Sequence, residues 1–512
     1  MTAPATPWSV PSRSAVGAAI GAVAAALLIG ILIAGLDGAR PLAILAALGT
    51  FVLLLRWPDA ATIVVVFAIY LNVPAVATQF YGVPGFMAAA IVGLLAVPLG
   101  IRLIRREAPV FAPALPFLIA YLGVLLVSLG LAHLRGLPGL TEPIEVFLTE
   151  GVLIFVLITN VVRSVPALRR VVWTLLVAGS VMGALSVHQG VTESYHEDYG
   201  GFAQAVGRAL TEEADDEDAG QPRVSGPIGE KNRYAQVMLV LLPLALFLMW
   251  IERARWLRIA AGLATALILG ALVLTFSRGA AVGLLAVLLA MFALRHLRLV
   301  HGVVVLLVIV TAATLFAPTY GERIGSIAGI QGLLAEDAED PDGSILGRTT
   351  SNLAAFNVFL DHPLLGVGPG MYTPYYSLDY ANELGLRHFT TPRRAHNLYL
   401  ESAAEIGAIG LGALLAIVAV TLAHLWRARQ RWLRRRPELS LWATAFGLSI
   451  VGYLVTAIFL HLAYQRYFWL LIALANATIW ILAREQTISP DVVRSENAVL
   501  RSDAVGPRST RA

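Results

Sequence analysis

The stretch ESAAEIGAIGLGALLAIVAVTLAHLWRARQRWLRRR, residues 401–436, decides the fold class. Its first part is an apolar run with two glutamates near the start. Its last eleven residues, 426–436, contain six arginines. About 20 apolar residues are enough to cross a hydrocarbon layer about 30 Å thick. A basic cluster directly behind such a run marks a cytoplasmic loop. The 426–436 block is therefore read as a topology signal rather than a binding surface.

The whole chain follows that pattern. Of its 512 residues, 58% are hydrophobic and 14% charged. Soluble domains are about half apolar and about a quarter charged. There is no cysteine, which excludes disulfides, thiol catalysis and cysteine metal sites. The net charge is only +4, and all but one of the 37 basic residues are arginine, the exception being Lys231. The arginines lie in short loops between apolar runs rather than on one face, which argues against nucleic-acid binding.

Apolar runs predict fourteen spanning helices in an all-α integral membrane fold. They lie near 15–36, 41–55, 60–78, 84–103, 112–132, 146–162 and 168–188. The rest lie near 234–251, 258–276, 279–294, 299–317, 401–425, 438–462 and 464–483. The second run is short, and tilted or re-entrant geometry is open to it. The first is read as a retained helix, because no small-residue cleavage signal stands out. Every loop after an even-numbered run is basic: Arg56; Arg102, Arg105 and Arg106; Arg163, Arg169 and Arg170; Arg253, Arg255 and Arg258; Arg295 and Arg298; then 426–436. Those loops, and with them both termini, are expected in the cytoplasm.

Two of the outward loops are long. Residues 189–233 contain the acidic TEEADDEDAG, and residues 318–400 contain AEDAEDPDG. Long outward loops on membrane proteins often carry function. The organisation expected is an N-terminal block, 1–222, whose acidic outward loop is 189–222, followed by a second region, 223–425. A basic loop and the last two helices follow at 426–484, then a polar, disordered tail at 485–512. The DPDG of 340–343 does not continue an EF-hand register, which would put Ala338 and Thr349 at the end positions. GVGPG at 366–370 has the wrong spacing for a dinucleotide fingerprint. It is read as a turn whose glycines permit positive φ.

The polar residues near apolar runs are the candidates for chemistry. Arg278 lies in LTFSRGAAVG, between two runs with almost no loop. It falls on the outward side, where the positive-inside rule gives no reason for a charge. Arg348 opens a stretch with apolar residues at Leu353, Phe356, Phe359 and Leu360. That spacing predicts a short amphipathic helix from near Arg348 to just before Pro363, lying on the outer membrane surface. His396 precedes the twelfth run. Asn397, Glu401 and Glu405 follow at i, i+4 and i+8 and share one helix face. Glu405 falls inside the apolar run, where a carboxylate needs a partner or a water-filled cavity. Arg393 and Arg394 complete the cluster.

The other histidines carry no such context. His296, His301 and His424 border basic loops, and His133, His188, His196, His388 and His461 lack ligand spacing. His362 belongs to an Asp-His-Pro turn. Arginines hold phosphates with charge-assisted forks, and a histidine near neutrality takes a proton from a hydroxyl. The set suits displacement of a lipid diphosphate from a sugar by an acceptor hydroxyl, with no metal or other cofactor.

These residues also carry a resemblance. SRGA at 277–280, GRTTSN at 347–352 with DHPLLGVGPGMY after it, and AHNLYLESAAEIGAIGLG at 395–412 resemble the O-antigen ligase and O-antigen polymerase family. RVSGPIGEKNRYAQVML at 223–239 is similar to the segment that opens the family's shared half, so the likeness covers roughly 223–424. Relatives usually show Pro-Asn where this chain has Glu230-Lys231-Asn232.

The resemblance implies a GT-C-type glycosyltransferase-like membrane fold in a bacterial inner membrane. It implies an undecaprenyl-diphosphate-linked glycan donor used on the periplasmic side. The acceptor would be lipid A core or a second lipid-linked glycan. By motif, the family's catalytic histidine falls on His396 and its diphosphate-binding arginines on Arg278 and Arg348. Arg394 joins them as a further diphosphate contact, with Asn397, Glu401 and Glu405 in support. Ligase and polymerase both remain open on the residues. A small-anion transporter is the competing reading, and a structural scaffold would leave Arg278 and His396 unexplained.

Overall fold

A computed structural model describes residues 58–83, 92–137, 140–206, 222–297, 343–462 and 465–503. The predicted helices near 15–36, 41–55 and 299–317 lie outside these residues, as do the acidic stretches 211–220 and 335–342. The described chain is helical apart from one two-stranded ribbon and connecting turns. Among the described residues eight helices are long and apolar enough to cross a membrane, or nine if a bent pair counts as one span. The protein is a multi-pass membrane protein.

The bent pair is α1 (Pro58–Tyr70) and α2 (Val73–Tyr81), which meet at 57°. They part at Asn72, which takes a left-handed φ of 60° and donates from its side chain to the Pro227 carbonyl at 2.7 Å. α3 (Ala96–Ile104) follows, then α4 (Leu115–Leu134) and α5 (Glu142–Val161), whose second turn is a π-helix over Phe147–Leu153. α6 (Val165–Thr192) starts at the Ser164 cap, whose side chain accepts from the Ala167 N–H. β1 (Gln204–Val206) pairs antiparallel with β2 (Arg223–Gly226).

The second half opens with α7 (Lys231–Ile251), α8 (Arg255–Leu274) and α9 (Arg278–Ala293). At 16 residues α9 is too short to cross on its own. α10 (Gly343–Asp361) and the short α11 (Tyr372–Tyr375) and α12 (Ser377–Glu383) lead to α13 (Leu398–Trp432), α14 (Pro437–Thr456) and α15 (Gln465–Asp503). α15 runs on to Asp503, into the polar stretch that begins at residue 485. A helix already formed in an apolar run needs no new nucleus to propagate into Arg-, Glu- and Gln-rich sequence.

Burial sorts the helices. In α7, α14 and α15, 78%, 72% and 83% of the spanning stretch is buried in the protein, against 28% in α4 and 33% in α8. The first three form the centre, and α4 and α8 keep apolar faces turned outward, with Phe117, Ile119, Leu126 and Leu263 exposed. α7 packs against α8 and α14, and α14 against α9, α13 and α15. Small residues permit the closest approaches. A Cβ on Gly283 of α9 would come within 2.6 Å of Leu239 and of Thr456, so α7 and α14 both press on α9 there.

α13 is broken. Gly407 has φ 65° and ψ −172°, outside any helix, and divides it just after Glu405. The loop 363–368 fills the break. Val367 and Gly368 N–H groups donate to the carbonyls of Ala404 and Glu405 at 2.9 Å each, and Ala408 and Ile409 donate to the carbonyls of Pro363 and Leu364 at 2.8 and 3.2 Å. Ser128 and Arg135 of the α4 end bind the Leu365 and Gly366 carbonyls. The glycines of GVGPG take positive φ as expected, at Gly366, Gly368 and Gly370. A Cβ on Gly366 would lie 2.3 Å from the Glu405 backbone, so only glycine admits this contact.

Candidate active site

Three helices begin at the same end of the bundle. α7 is capped by Glu230, whose carboxylate accepts from the N–H groups of Asn232 and Arg233 at 2.9 and 2.8 Å. α9 is capped by Ser277, which accepts from the Ala280 N–H at 3.4 Å. α13 is capped by Asn397, which accepts from Tyr399 and Leu400 N–H groups at 3.0 and 3.2 Å. In the Glu230-Lys231-Asn232 stretch, Glu230 is thus the cap of α7.

The residue before each of the last two caps is left-handed without being glycine: Phe276 at φ 51° and His396 at φ 51°. Such a backbone costs on the order of 1–3 kcal/mol and persists only where the surroundings hold it. For His396 the holders are visible. Glu401 is buried, and its two carboxylate oxygens accept from Arg394 Nη1 at 3.2 Å and from the Ala395 N–H at 3.0 Å. The Leu398 N–H donates to the Ala457 carbonyl at 2.9 Å, tying the start of α13 to the end of α14.

The turn after α14, 457–462, is where the segments meet. Its Phe459 ring packs against Gly279, beside Arg278, at 3.1 Å from where a Cβ would stand. Its Ala457 carbonyl holds the start of α13. Its His461 ring stands edge-on to the His396 ring, with centroids 5.8 Å apart and planes at 69°. The half-buried Arg278 and His396 therefore flank one turn.

Arg348, also half-buried, sits on α10, which starts at Gly343 rather than near Arg348. α10 ends at Asp361, before Pro363, as the spacing predicts. The residues it buries are Thr350, Ser351, Ala354, Ala355 and Val358, while Leu353, Phe356 and Leu360 stay exposed. Ala355 and Val358 pack in one cluster with Ala395 and Ala404. This brings α10 against the His396 segment through small side chains and leaves its large apolar face outward.

Asn397 and the carboxylates acquire definite structural work. Asn397 is the α13 cap. Glu401 fastens the loop that carries Arg394 and His396. Glu405 accepts backbone hydrogen bonds from Gly370 and Tyr372, so its partner is the turn after GVGPG. The carboxylate predicted to need a partner at membrane depth has one in protein backbone.

Two polar residues of this region have no signal in the sequence. Arg233 is 2% exposed and donates from Nη1 to Gln236 Oε1 at 3.0 Å and from Nη2 to the His461 carbonyl. Gln236 in turn donates to Thr456 Oγ1 at 2.8 Å and to the Tyr453 carbonyl at 3.2 Å. His461, passed over in the sequence for want of ligand spacing, is brought to His396 by a turn between two helices far along the chain. Ligand spacing reports only local arrangements, and neither residue has one.

The arrangement defines a class: a polytopic membrane protein with arginines, a histidine and a paired carboxylate gathered where several helices begin. A family model described as O-Antigen ligase matches residues 263–415. Over that segment the chain is similar to the O-antigen ligase family. The match takes in Arg278, Arg348, Arg394, His396, Asn397, Glu401 and Glu405, and stops short of Arg233 on one side and His461 on the other. It begins 40 residues after Arg223, where the resemblance in the sequence starts. A comparison with curated proteins gives no match.

Proposed function

We propose that the protein transfers a glycan from an undecaprenyl-diphosphate donor to an acceptor hydroxyl, in the manner of an O-antigen ligase, at the outward face of a bacterial inner membrane. His396 is the base. It takes the proton of the acceptor hydroxyl as that oxygen bonds to the anomeric carbon. The bond from this carbon to the diphosphate oxygen breaks, and its electron pair leaves with the lipid diphosphate. In-line attack inverts the anomeric centre. Arg278, Arg348 and Arg394 meet the charge that grows on the leaving group, with arginine as counter-charge in place of a metal. Fixed cations aimed at developing charge are commonly worth several kcal/mol of barrier.

The observation that carries this reading is the strained His396 backbone at a helix start, held by Glu401 and flanked with Arg278 on one turn. Strain that is maintained by dedicated contacts is a mark of functional geometry. The positive-inside pattern supports the outward placement. Basic residues including Arg163, Arg169 and Arg436 lie at the other end of the helices, where Arg169 pairs with Glu252 and Arg436 with Glu485 at 3.1 Å.

A transporter reading gains something from the broken α13 and the bent α1–α2 pair, since broken helices line many transport sites. In α13 the freed backbone groups are taken up by loop 363–368 rather than left to line a path. That favours transfer. The deciding experiment offers purified protein a lipid-linked glycan with lipid A core or with a second lipid-linked glycan. Glycan on the core means ligase, and a lengthened lipid-linked glycan means polymerase. Neither product, with anion uptake into liposomes, overturns the enzyme reading.

A further inference from the structure

His461 has only one ring neighbour among the described aromatic and histidine contacts, and that neighbour is His396. Its backbone is fastened from below by Arg233, whose guanidinium is itself locked to Gln236, and Gln236 to the end of α14. The backbone that carries the ring is therefore held by a buried polar chain running through α7 and α14. His461 Nδ1 is buried and meets no hydrogen-bond partner among the described residues.

The charge state follows from the surroundings. Arg233 faces the ring from α7, and Arg394 and His396 face it from the segment before α13. The nearby carboxylate, Glu401, is already engaged by Arg394 and the Ala395 N–H. Burial first, and then the positive charges of Arg233, Arg394 and His396, hold His461 well below the ordinary histidine range. It stays neutral where an ordinary histidine titrates.

We propose that His461 is a positioning residue for His396: its ring, set edge-on and anchored through Arg233, fixes the plane of the His396 imidazole and so the direction in which that ring takes a proton. This rests on His396 being the base. A neutral, immobile ring suits the task because it adds no charge that would oppose proton uptake by His396. A misdirected base costs turnover and leaves ground-state binding alone.

The test compares His461→Ala with His461→Phe in full-length protein, by steady-state transfer and by ¹⁵N-histidine NMR in nanodiscs. His461→Ala is expected to lower kcat about 10–100-fold, with KM for donor and for acceptor each within about 3-fold of the parent. His461→Phe keeps an edge-on ring and is expected to recover kcat to within about 5-fold of the parent. A phenylalanine variant as slow as the alanine variant overturns the proposal, because the nitrogen and not the ring would then matter. Parent-like turnover in His461→Ala also overturns it.

The NMR arm needs no turnover. The signal lost in His461→Phe should keep a neutral imidazole pattern from about pH 5.5 to 8. The His396 signal should move in His461→Ala and much less in His461→Phe. A His461 that titrates near the ordinary value, or a His396 signal indifferent to both variants, overturns the proposal. Absence of transfer by the parent protein would instead remove the enzyme reading, and the NMR result would still decide whether His461 orients His396.

Discussion

At the scale of single residues, the site separates groups proposed for chemistry from groups that hold them. His396→Ala is expected to abolish transfer while the protein still inserts and elutes as the parent does, and unchanged transfer would remove histidine as base. Arg278→Lys keeps the charge and loses the guanidinium fork, so a drop of at least about 10-fold in kcat/KM is expected, measured on the purified enzyme. Glu401 acts through the loop. Glu401→Ala removes the acceptor for the Ala395 N–H and the partner of Arg394, which should cost roughly 1–3 kcal/mol in a denaturation assay. Glu401→Gln keeps an acceptor and should lose less of both stability and turnover. The histidines set a pH response. His461 is neutral when folded and protonates near 6.5 when unfolded, so below about pH 6.5 the unfolded chain binds more protons and stability falls. His296 and His362 are depressed in the same direction, chiefly by burial, and add to the fall. Tm in detergent should therefore drop from pH 7 to 5.5, and drop less in His461→Phe.

At the scale of elements, the decisive feature is the break in α13. A continuous helix would carry Glu405 to membrane depth with its backbone closed on itself. The break instead frees carbonyls and N–H groups that dock the loop 363–368. This fixes the segment from α10 to α12 to the helix that starts just after His396. Gly407 is the hinge of the arrangement. A Cβ there would lie 2.2 Å from the Leu364 backbone, at a φ of 65° that side chains rarely adopt. Gly407→Ala should lower stability by on the order of 1–3 kcal/mol from backbone strain alone, with transfer lost at lower temperature than in the parent. A thermal-shift profile matching the parent would show that the break is not needed. The exposed Leu353, Phe356 and Leu360 on α10 give that helix an apolar face suited to the membrane surface.

At the scale of the molecule, the two ends differ in kind. Among the described residues, one gathers the starts of α7, α9 and α13 with the His396 segment, and the other gathers basic residues such as Arg163, Arg169 and Arg436. Because the chain has no cysteine, single cysteines report orientation cleanly. Thr391→Cys in intact cells should react with a membrane-impermeant maleimide, and Arg434→Cys should react only after lysis. The reverse pattern would move the site to the cytoplasmic face and end the proposed use of a periplasmic donor.

Much of this architecture is legible in the sequence by itself. The apolar runs mark the membrane helices because burial in lipid demands length and composition, both of which are local along the chain. The glycine turn GVGPG, the helix from Arg348 toward Pro363 and the candidate role of the His396 segment are local for the same reason. What the sequence does not carry is which groups the tertiary structure sets against each other. The break at Gly407 exists because a loop about 40 residues earlier in the chain supplies its hydrogen bonds. His461 matters because a turn after α14 lands on His396, and Arg233 because α7 carries it beneath that turn. Contacts of that kind depend on how helices pack, and packing leaves no spacing to read.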